Sequence, residues 1–262
     1  MKPAQTLLAE MLRIYATPSE SLWRSFELVK VLELRDSLRF DPPILEIGCG
    51  NGAFTSMVMA NVDDAVDINP RAVERARHSP VFKRVHCMDA RAMSFETGSY
   101  GTVFANCVLE HIPSVEQILA DCARVLRSGG RMITTVPLRE MNAHLLFKHP
   151  RYAAHRQAQL VHVNLLSAGE WREALVRAGF SRVDVHPYLF GGHCRLWDKL
   201  DWTISMGSGR YRLSAALRLA LWALPAAARR RVEMLAARWL ASRIDGIPER
   251  DPCAAALVAT KS

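Results

Sequence analysis

The sequence predicts an α/β fold, a parallel sheet flanked by helices, with helical additions at both the N- and C-terminal ends. Three observations predict it. Short apolar runs alternate with helix-like segments from residue 44 to residue 188, and strands joined by crossover helices pair in parallel with helices on both faces. The first run ends in glycines at positions 48, 50 and 52, the pattern of a strand-to-helix turn that lets a ligand approach the main chain. Half of the 262 residues are hydrophobic and 23% are charged, enough apolar matter for a sizeable core and no signature of disorder.

Taken in order, residues 1–41 read as a helical segment packed on the core. Residues 1–14 are a short amphipathic stretch. Ser19 or Ser21 caps a helix running to about Leu38, with Trp23, Phe26, Val29, Val31 and Leu34 on its apolar face. Pro42-Pro43 stops it. A core over residues 42–190 follows, with strands expected at 44–47, 65–68, 82–88, 102–107 and 131–136. Helices are expected at 53–60, 71–78 and 114–126, with Pro70 in the first turn of the second and Ser114 capping the third. Ser128-Gly129-Gly130 ends that helix. Residues 138–166 are less regular and read as an insertion, after which a helix at 167–178 and a strand at 180–188 complete the core. Residues 191–262 form a helical cap rich in Trp, Leu, Ala and Arg, with a final strand at 254–260.

The chemistry begins at Glu46-Ile47-Gly48-Cys49-Gly50-Asn51-Gly52. A dinucleotide fold seats a pyrophosphate on G-x-G-x-x-G; here the third glycine comes one residue early. Glu46 stands two residues before the first glycine. Its carboxylate would repel a pyrophosphate but attract an ammonium group. Asp67 ends the second strand, 21 residues after Glu46, where a carboxylate can accept both hydroxyls of a ribose. A ligand carrying a ribose and an amino group fits better than a nicotinamide dinucleotide.

These residues resemble the class I S-adenosylmethionine-dependent methyltransferases, whose sheet is Rossmann-like. Ile44-Leu45-Glu46-Ile47-Gly48-Cys49-Gly50-Asn51-Gly52 is similar to that family's motif I, which wraps the methionine part of the cofactor. The resemblance implies contacts from Glu46, Gly48, Cys49, Gly50 and Gly52. Ala65-Val66-Asp67-Ile68-Asn69-Pro70 resembles the second motif, implying Asp67 on the ribose and Ile68 beside the adenine, although relatives often have Gly where Ala65 stands. Cys87-Met88-Asp89-Ala90 implies Asp89 on the adenine amino group, next to Ala90. Phe104-Ala105-Asn106-Cys107-Val108-Leu109-Glu110-His111-Ile112 resembles the end of strand four, where Leu-Glu-His opens the next helix, and implies that Asn106 and Cys107 reach the cofactor. Arg124-Val125-Leu126-Arg127-Ser128-Gly129-Gly130 is similar to the family's Arg-Val-Leu-Lys-Pro-Gly-Gly, with Ser128 replacing Pro; Thr102 stands where Asp is frequent. The likeness covers residues 42–137 and continues more weakly through His162-Val163-Asn164-Leu165 and Trp171 to Ala178-Gly179-Phe180. It implies S-adenosyl-L-methionine as cofactor, S-adenosyl-L-homocysteine as product, and no metal.

Methyl transfer from a sulfonium is an in-line displacement, so the enzyme chiefly holds the acceptor atom in place. A hydroxyl or ammonium acceptor also needs a base. His111 is the first candidate, because it lies just beyond the strand edge where the acceptor is expected; His144, His149 and His162 are further acceptor-side candidates in the 138–166 insertion. Asn106-Cys107-Val108-Leu109 departs from the Asn-Pro-Pro-Tyr of nucleic-acid amine methyltransferases, and Cys107 reads as a buried packing residue. The expected acceptor is a small molecule, lipid-linked or a specialised metabolite, and nucleic acid is not expected. The formal charge of +8 keeps an RNA or protein methyltransferase as an alternative, and a non-catalytic scaffold is another. Residues 213–228 are nearly all apolar, and Arg229-Arg230-Arg231 and Trp239 follow. Such a stretch suits a lid, a homodimer surface, or peripheral membrane contact through residues 213–240. The longest apolar run, 219–228, is too short to span a bilayer, and no signal-peptide pattern opens the chain. The six cysteines lack zinc spacing and suit a reducing compartment. A cytoplasmic protein is expected, at most peripheral at the inner membrane surface.

Overall fold

A computed structural model of the chain describes residues 3–15, 17–204, 219–221 and 223–262. They fall into two compact units. The larger is built from Lys30–Arg139, Ala154–Tyr188 and Ala254–Ser262, the smaller from segments within Met1–Val29, Glu140–Ala153 and Leu189–Cys253.

The larger unit is organised by a seven-stranded sheet of order β3-β2-β1-β4-β5-β7-β6. β1 (Ile44–Ile47) is buried along its whole length and pairs in parallel with β2 (Val62–Asp67) and β4 (Tyr100–Asn106). β3 (Phe82–Cys87) lies parallel beside β2, and β5 (Leu126–Pro137) parallel beside β4. β7 (Pro252–Lys261) pairs antiparallel with β5, and β6 (Phe180–Phe190) follows at that edge. The winding reverses between β1 and β4, so a crevice opens beyond their carboxyl ends, where α/β sheets bind ligands.

Helices seal the sheet through apolar stripes. α5 (Val115–Val125) buries Ile118, Leu119 and Cys122, residues at helical spacing. They join a core that includes Leu45, Val103, Trp171, Phe180 and Leu257. α7 (Ala168–Arg177) starts on a capping box between Ser167 and Glu170, which satisfies two end N–H groups. α4 (Pro70–Ala76) has the Asn69 side chain accepting from the Arg71 N–H.

Several expected boundaries shift. The helix expected at 53–60 shrinks to α3 (Thr55–Val58), because β2 begins at Val62, three residues before its expected start. Asp63 and Asp64 precede the expected strand, yet each has partners that keep it in β2. Asp63 accepts the Ile44 N–H and the Lys83 ammonium; Asp64 accepts from Arg84, His86 and Tyr100. Ser128-Gly129-Gly130 bulges out of β5: Leu126 faces Tyr100 and Arg131 faces Thr102, with Gly129 at φ +74° in between. Ser114 precedes α5 in a left-handed conformation and makes no capping hydrogen bond. The helical segment expected over residues 1–41 is two helices, α1 (Gln5–Ile14) and α2 (Pro18–Leu38), the second starting just ahead of the expected caps Ser19 and Ser21 and ending at Leu38 as expected.

The smaller unit packs α1 against α9 (Ala226–Ile244), with α8 (Gly191–Ile204) contributing Trp197 edge-on to Trp23. Asp198 accepts the Leu146 N–H and the Tyr152 hydroxyl, both at 2.8 Å. Tyr152 belongs to the first turn of α6 (Pro150–Leu160). No helix among the described residues is long and apolar enough to cross a membrane. Residues 213–218 and 222 of the apolar stretch expected at 213–228 lie outside the described residues.

Candidate functional site

The glycine loop turns sharply where β1 ends. Gly48, Gly50 and Gly52 all have positive φ, at +69°, +58° and +76°. The Gly48 and Cys49 N–H groups donate to the Val66 carbonyl, tying the loop to β2. A Cβ on Gly48 would collide with Val108 Cγ2, and one on Gly52 would lie 2.6 Å from the Phe82 ring. Glycine is therefore required twice, once by backbone and once by close packing. The helix that follows, four residues long, is too short to act as a dipole.

Glu46 lies beneath the loop, 3% exposed. Its Oε1 accepts the Thr55 hydroxyl at 2.6 Å, whereas Oε2 is buried with no hydrogen-bond partner. Burial pushes the carboxyl up to about 8. An orphaned carboxyl oxygen at this depth calls for a cationic or hydrogen-bonding ligand. Cys49 is buried too, and burial raises its thiol to about 12, so it is no nucleophile.

Beyond the loop, one cavity of about 360 Å³ gathers Gly48, Asp67, Ile68, Asp89, Ala90, Arg91, Cys107 and His111. Asp67 is held by the Gly50 N–H at 3.0 Å on Oδ2 and the Asn69 N–H at 2.8 Å on Oδ1. Each oxygen keeps a lone pair for a further donor. Ile68 stands beside it, 67% exposed. Asp89 is gripped by Arg91, with Nη2 at 2.6 Å from Oδ2 and Nε at 3.0 Å from both oxygens. That guanidinium holds the Asp89 carboxyl below its ordinary range. Asn106 Oδ1 accepts the Thr135 hydroxyl at 2.9 Å. The Cys107 N–H donates to the Thr135 carbonyl and hydroxyl, and Cys107 itself takes φ +50°. Cys107 is thus half-buried at the cavity wall and not the interior packing residue expected, because the left-handed turn swings it out of the strand.

His111 closes a 3₁₀ turn, Leu109–His111, at the edge of the cavity. Its Nδ1 sits 3.0 Å from the Val161 carbonyl and therefore carries the proton, leaving Nε2 as the basic nitrogen. Nε2 lies 3.8 Å from Glu110 Oε1. The His162 ring centroid is 5.4 Å from that of His111. Burial, then the neighbouring His111 and Arg156, lower His162 to about 4, so it is neutral at pH 7. The segment is stitched to the turn: the Val163 and Asn164 N–H groups donate to the Glu110 carbonyl, and Asn164 Nδ2 donates to the carbonyls of Leu109 and Ile112. His144 and His149 belong to the smaller unit. His149 caps α6 through the Arg151 N–H, and His144 packs against Gly191 and lies 3.9 Å from Asp251.

Residues 45–134 match the protein family described as "Methyltransferase domain". Over those residues the chain is a methyltransferase domain. A malonyl-[acyl-carrier protein] O-methyltransferase from Paenibacillus sp. (strain JDR-2) is 27% identical over 158 residues, 55% of this chain and 56% of that protein. A ubiquinone biosynthesis O-methyltransferase from Xanthomonas oryzae pv. oryzae is 34% identical over 97 residues, 34% of this chain and 40% of that protein. The chain thus spans about half the length, or less, of these curated relatives. Among solved structures, a possible histamine N-methyltransferase from Thermotoga maritima superposes with a TM-score of 0.57 at 16% identity, covering 91% of each chain. That likeness shows the fold.

Within the methyltransferase domain, sequence reasoning missed the residues that hold others in place. Thr55 orients Glu46, Arg91 clamps Asp89, Thr135 fixes Asn106 and Cys107, and the Val161 carbonyl sets the His111 tautomer. The Arg91 contact had a local signal, a cation two residues from an acid in a turn. The Thr135 and Val161 contacts span 28 to 50 residues and leave none.

Proposed function

We propose that the domain binds S-adenosylmethionine in the crevice beyond β1 and β4 and transfers its methyl group to a small-molecule hydroxyl. One observation carries the reading: Gly48 of the glycine loop, Asp67 and Asp89 line a single cavity, while Glu46, two residues before Gly48 and outside that lining, keeps a buried oxygen without a hydrogen-bond partner. Each group suits one part of that molecule. Glu46 offers an anion for the ammonium, Asp67 two lone pairs for the ribose diol, and Asp89 an acceptor for the adenine amino group beside Ile68. When bound, the cofactor supplies an electrophilic methyl group on a sulfonium.

The acceptor side is assigned to the His111 edge of the cavity. Nε2 of His111 takes the acceptor's hydroxyl proton, and the nearby Glu110 carboxylate steadies the imidazolium that results. Neutral His162 adds no competing charge. Curated relatives named as O-methyltransferases of malonyl-[acyl-carrier protein] and of ubiquinone biosynthesis support a small carboxyl or hydroxyl acceptor, including one carried on a lipid or a carrier.

Titration calorimetry with S-adenosylhomocysteine and metabolite mass spectrometry of a deletion strain test this. Binding, together with loss of a methylated small molecule, is expected. Replacing His111 with Ala should lower kcat roughly 10²–10⁴-fold with little change in cofactor affinity. No binding by the folded protein, or lost methyl groups confined to RNA, would refute the reading.

A further inference from the structure

α9 carries two faces. Ala237, Leu240, Ala241 and Ile244 turn inward and are buried. Val232, Leu235 and Trp239 turn outward at positions i, i+3 and i+7 and are 40%, 63% and 45% exposed. They form an apolar stripe about 10 Å long at 1.5 Å per residue. Arginines rail it on both sides. Arg231 and Arg238, one heptad apart, flank one edge and join Leu235 around a shallow depression. Arg243 flanks the other, stacked 5.4 Å over the Trp239 ring. Next to it, Leu196, Lys199 and Leu200 of α8 line a second groove with Trp239 and Arg243. The helix holds five arginines and one acid, Glu233, which is 11% exposed and lies 3.8 Å from Arg13.

We propose that this outward face of α9 docks the protein on an anionic bilayer surface. Arginine guanidinium groups bind lipid phosphates in a fork geometry, and tryptophan with aliphatic neighbours settles at the boundary between headgroups and acyl chains. Other occupants fit less well. A second copy meeting this face through a two-fold axis would set Arg231, Arg238 and Arg243 against their own counterparts, which repel. A nucleic acid would satisfy the arginines but leave the Val232–Leu235–Trp239 stripe against phosphates. The inference stands independently of the methyl-donor reading, since it concerns the smaller unit alone.

Co-sedimentation of the full chain with vesicles tests it, using phosphatidylcholine alone against phosphatidylcholine with phosphatidylglycerol. Binding only to the anionic vesicles, weakened by salt, is expected. The triple variant R231Q/R238Q/R243Q should bind about 100-fold more weakly, at about fivefold per arginine. The double variant L235S/W239S should lose retention at high salt, where the apolar stripe must carry the binding. Circular dichroism confirms that the variants fold. Equal binding to neutral vesicles, no binding to either, or an unchanged triple variant would overturn the proposal. So would a dimer of the parent protein that the double variant converts to monomer, since a second copy would then cover the stripe.

Discussion

Replacing Gly48 with Ala asks whether the ligand loop is held by its own backbone or by what packs on it. Gly48 sits at φ +69°, where an L-residue costs roughly 1–2 kcal/mol. The added Cβ would also overlap Val108 Cγ2 and lie 2.9 Å from Cγ1, and overpacking of that kind costs roughly 1–3 kcal/mol. The two together destabilise the domain by roughly 2–5 kcal/mol. Only the second part can be relieved. Val108→Ala removes both Cγ atoms, so the double variant should be less unstable than the sum of the single variants by roughly 1–3 kcal/mol. Urea unfolding of the four proteins in one buffer gives that coupling. Additive changes, agreeing within about 0.5 kcal/mol, would show that the loop moves off Val108 freely, and the close-packing argument would fail.

Three further outcomes are expected. Arg91→Ala removes the clamp on Asp89 and should weaken S-adenosylhomocysteine about tenfold while sparing S-inosylhomocysteine, which lacks the amino group; equal losses would rule out a role in adenine recognition. Burial raises the Glu46 carboxyl to about 8, so it is mostly protonated at pH 7. A bound ammonium favours the carboxylate, and calorimetry in buffers of different ionisation heat should detect release of nearly one proton at pH 7, abolished by Glu46→Gln; heats independent of buffer would contradict this. Burial alone would raise Asp64, but hydrogen bonds from Arg84, His86 and Tyr100 outweigh it and hold the carboxyl at about 2. Its folded value lies below the ordinary one near 4, so the network stabilises the fold above about pH 4 and that stability is lost as pH falls through about 2. A profile of Tm against pH should show that acid limb flattened in Asp64→Asn, and an unchanged limb would place the acid sensitivity elsewhere.

That Gly48, Asp67 and Asp89 come together at one cavity was legible because the signals are local. Glu46, Asp67 and Asp89 each lie within a few residues of a strand end, and the strand-helix-strand rhythm fixes how far apart those ends fall. What misled was polarity inside a strand. Asp63 and Asp64 fall before the strand expected at 65–68, and the partners that hold them in β2 lie on other strands: the Ile44 N–H on β1, Lys83, Arg84 and His86 on β3, and Tyr100 on β4. α6 offered little: its apolar side is weak, and Arg156 is its one described buried residue.

The proposed acceptor side depends largely on contacts between residues distant in sequence. Leu-Glu-His reads as the opening of a helix, but the chain makes a single 3₁₀ turn there and begins α5 only at Val115. The turn stops at Pro113, which has no N–H to give the Leu109 carbonyl; the carbonyls of Leu109 and Ile112 accept the Asn164 amide, and that of Glu110 accepts two backbone N–H groups from the same segment. The same segment presents the Val161 carbonyl that fixes the His111 tautomer. His111 is thus oriented by residues some fifty positions away. Changes within 161–164 should therefore alter proton handling at the acceptor while leaving the glycine loop, Asp67 and Asp89 undisturbed, so one donor site can serve different acceptors.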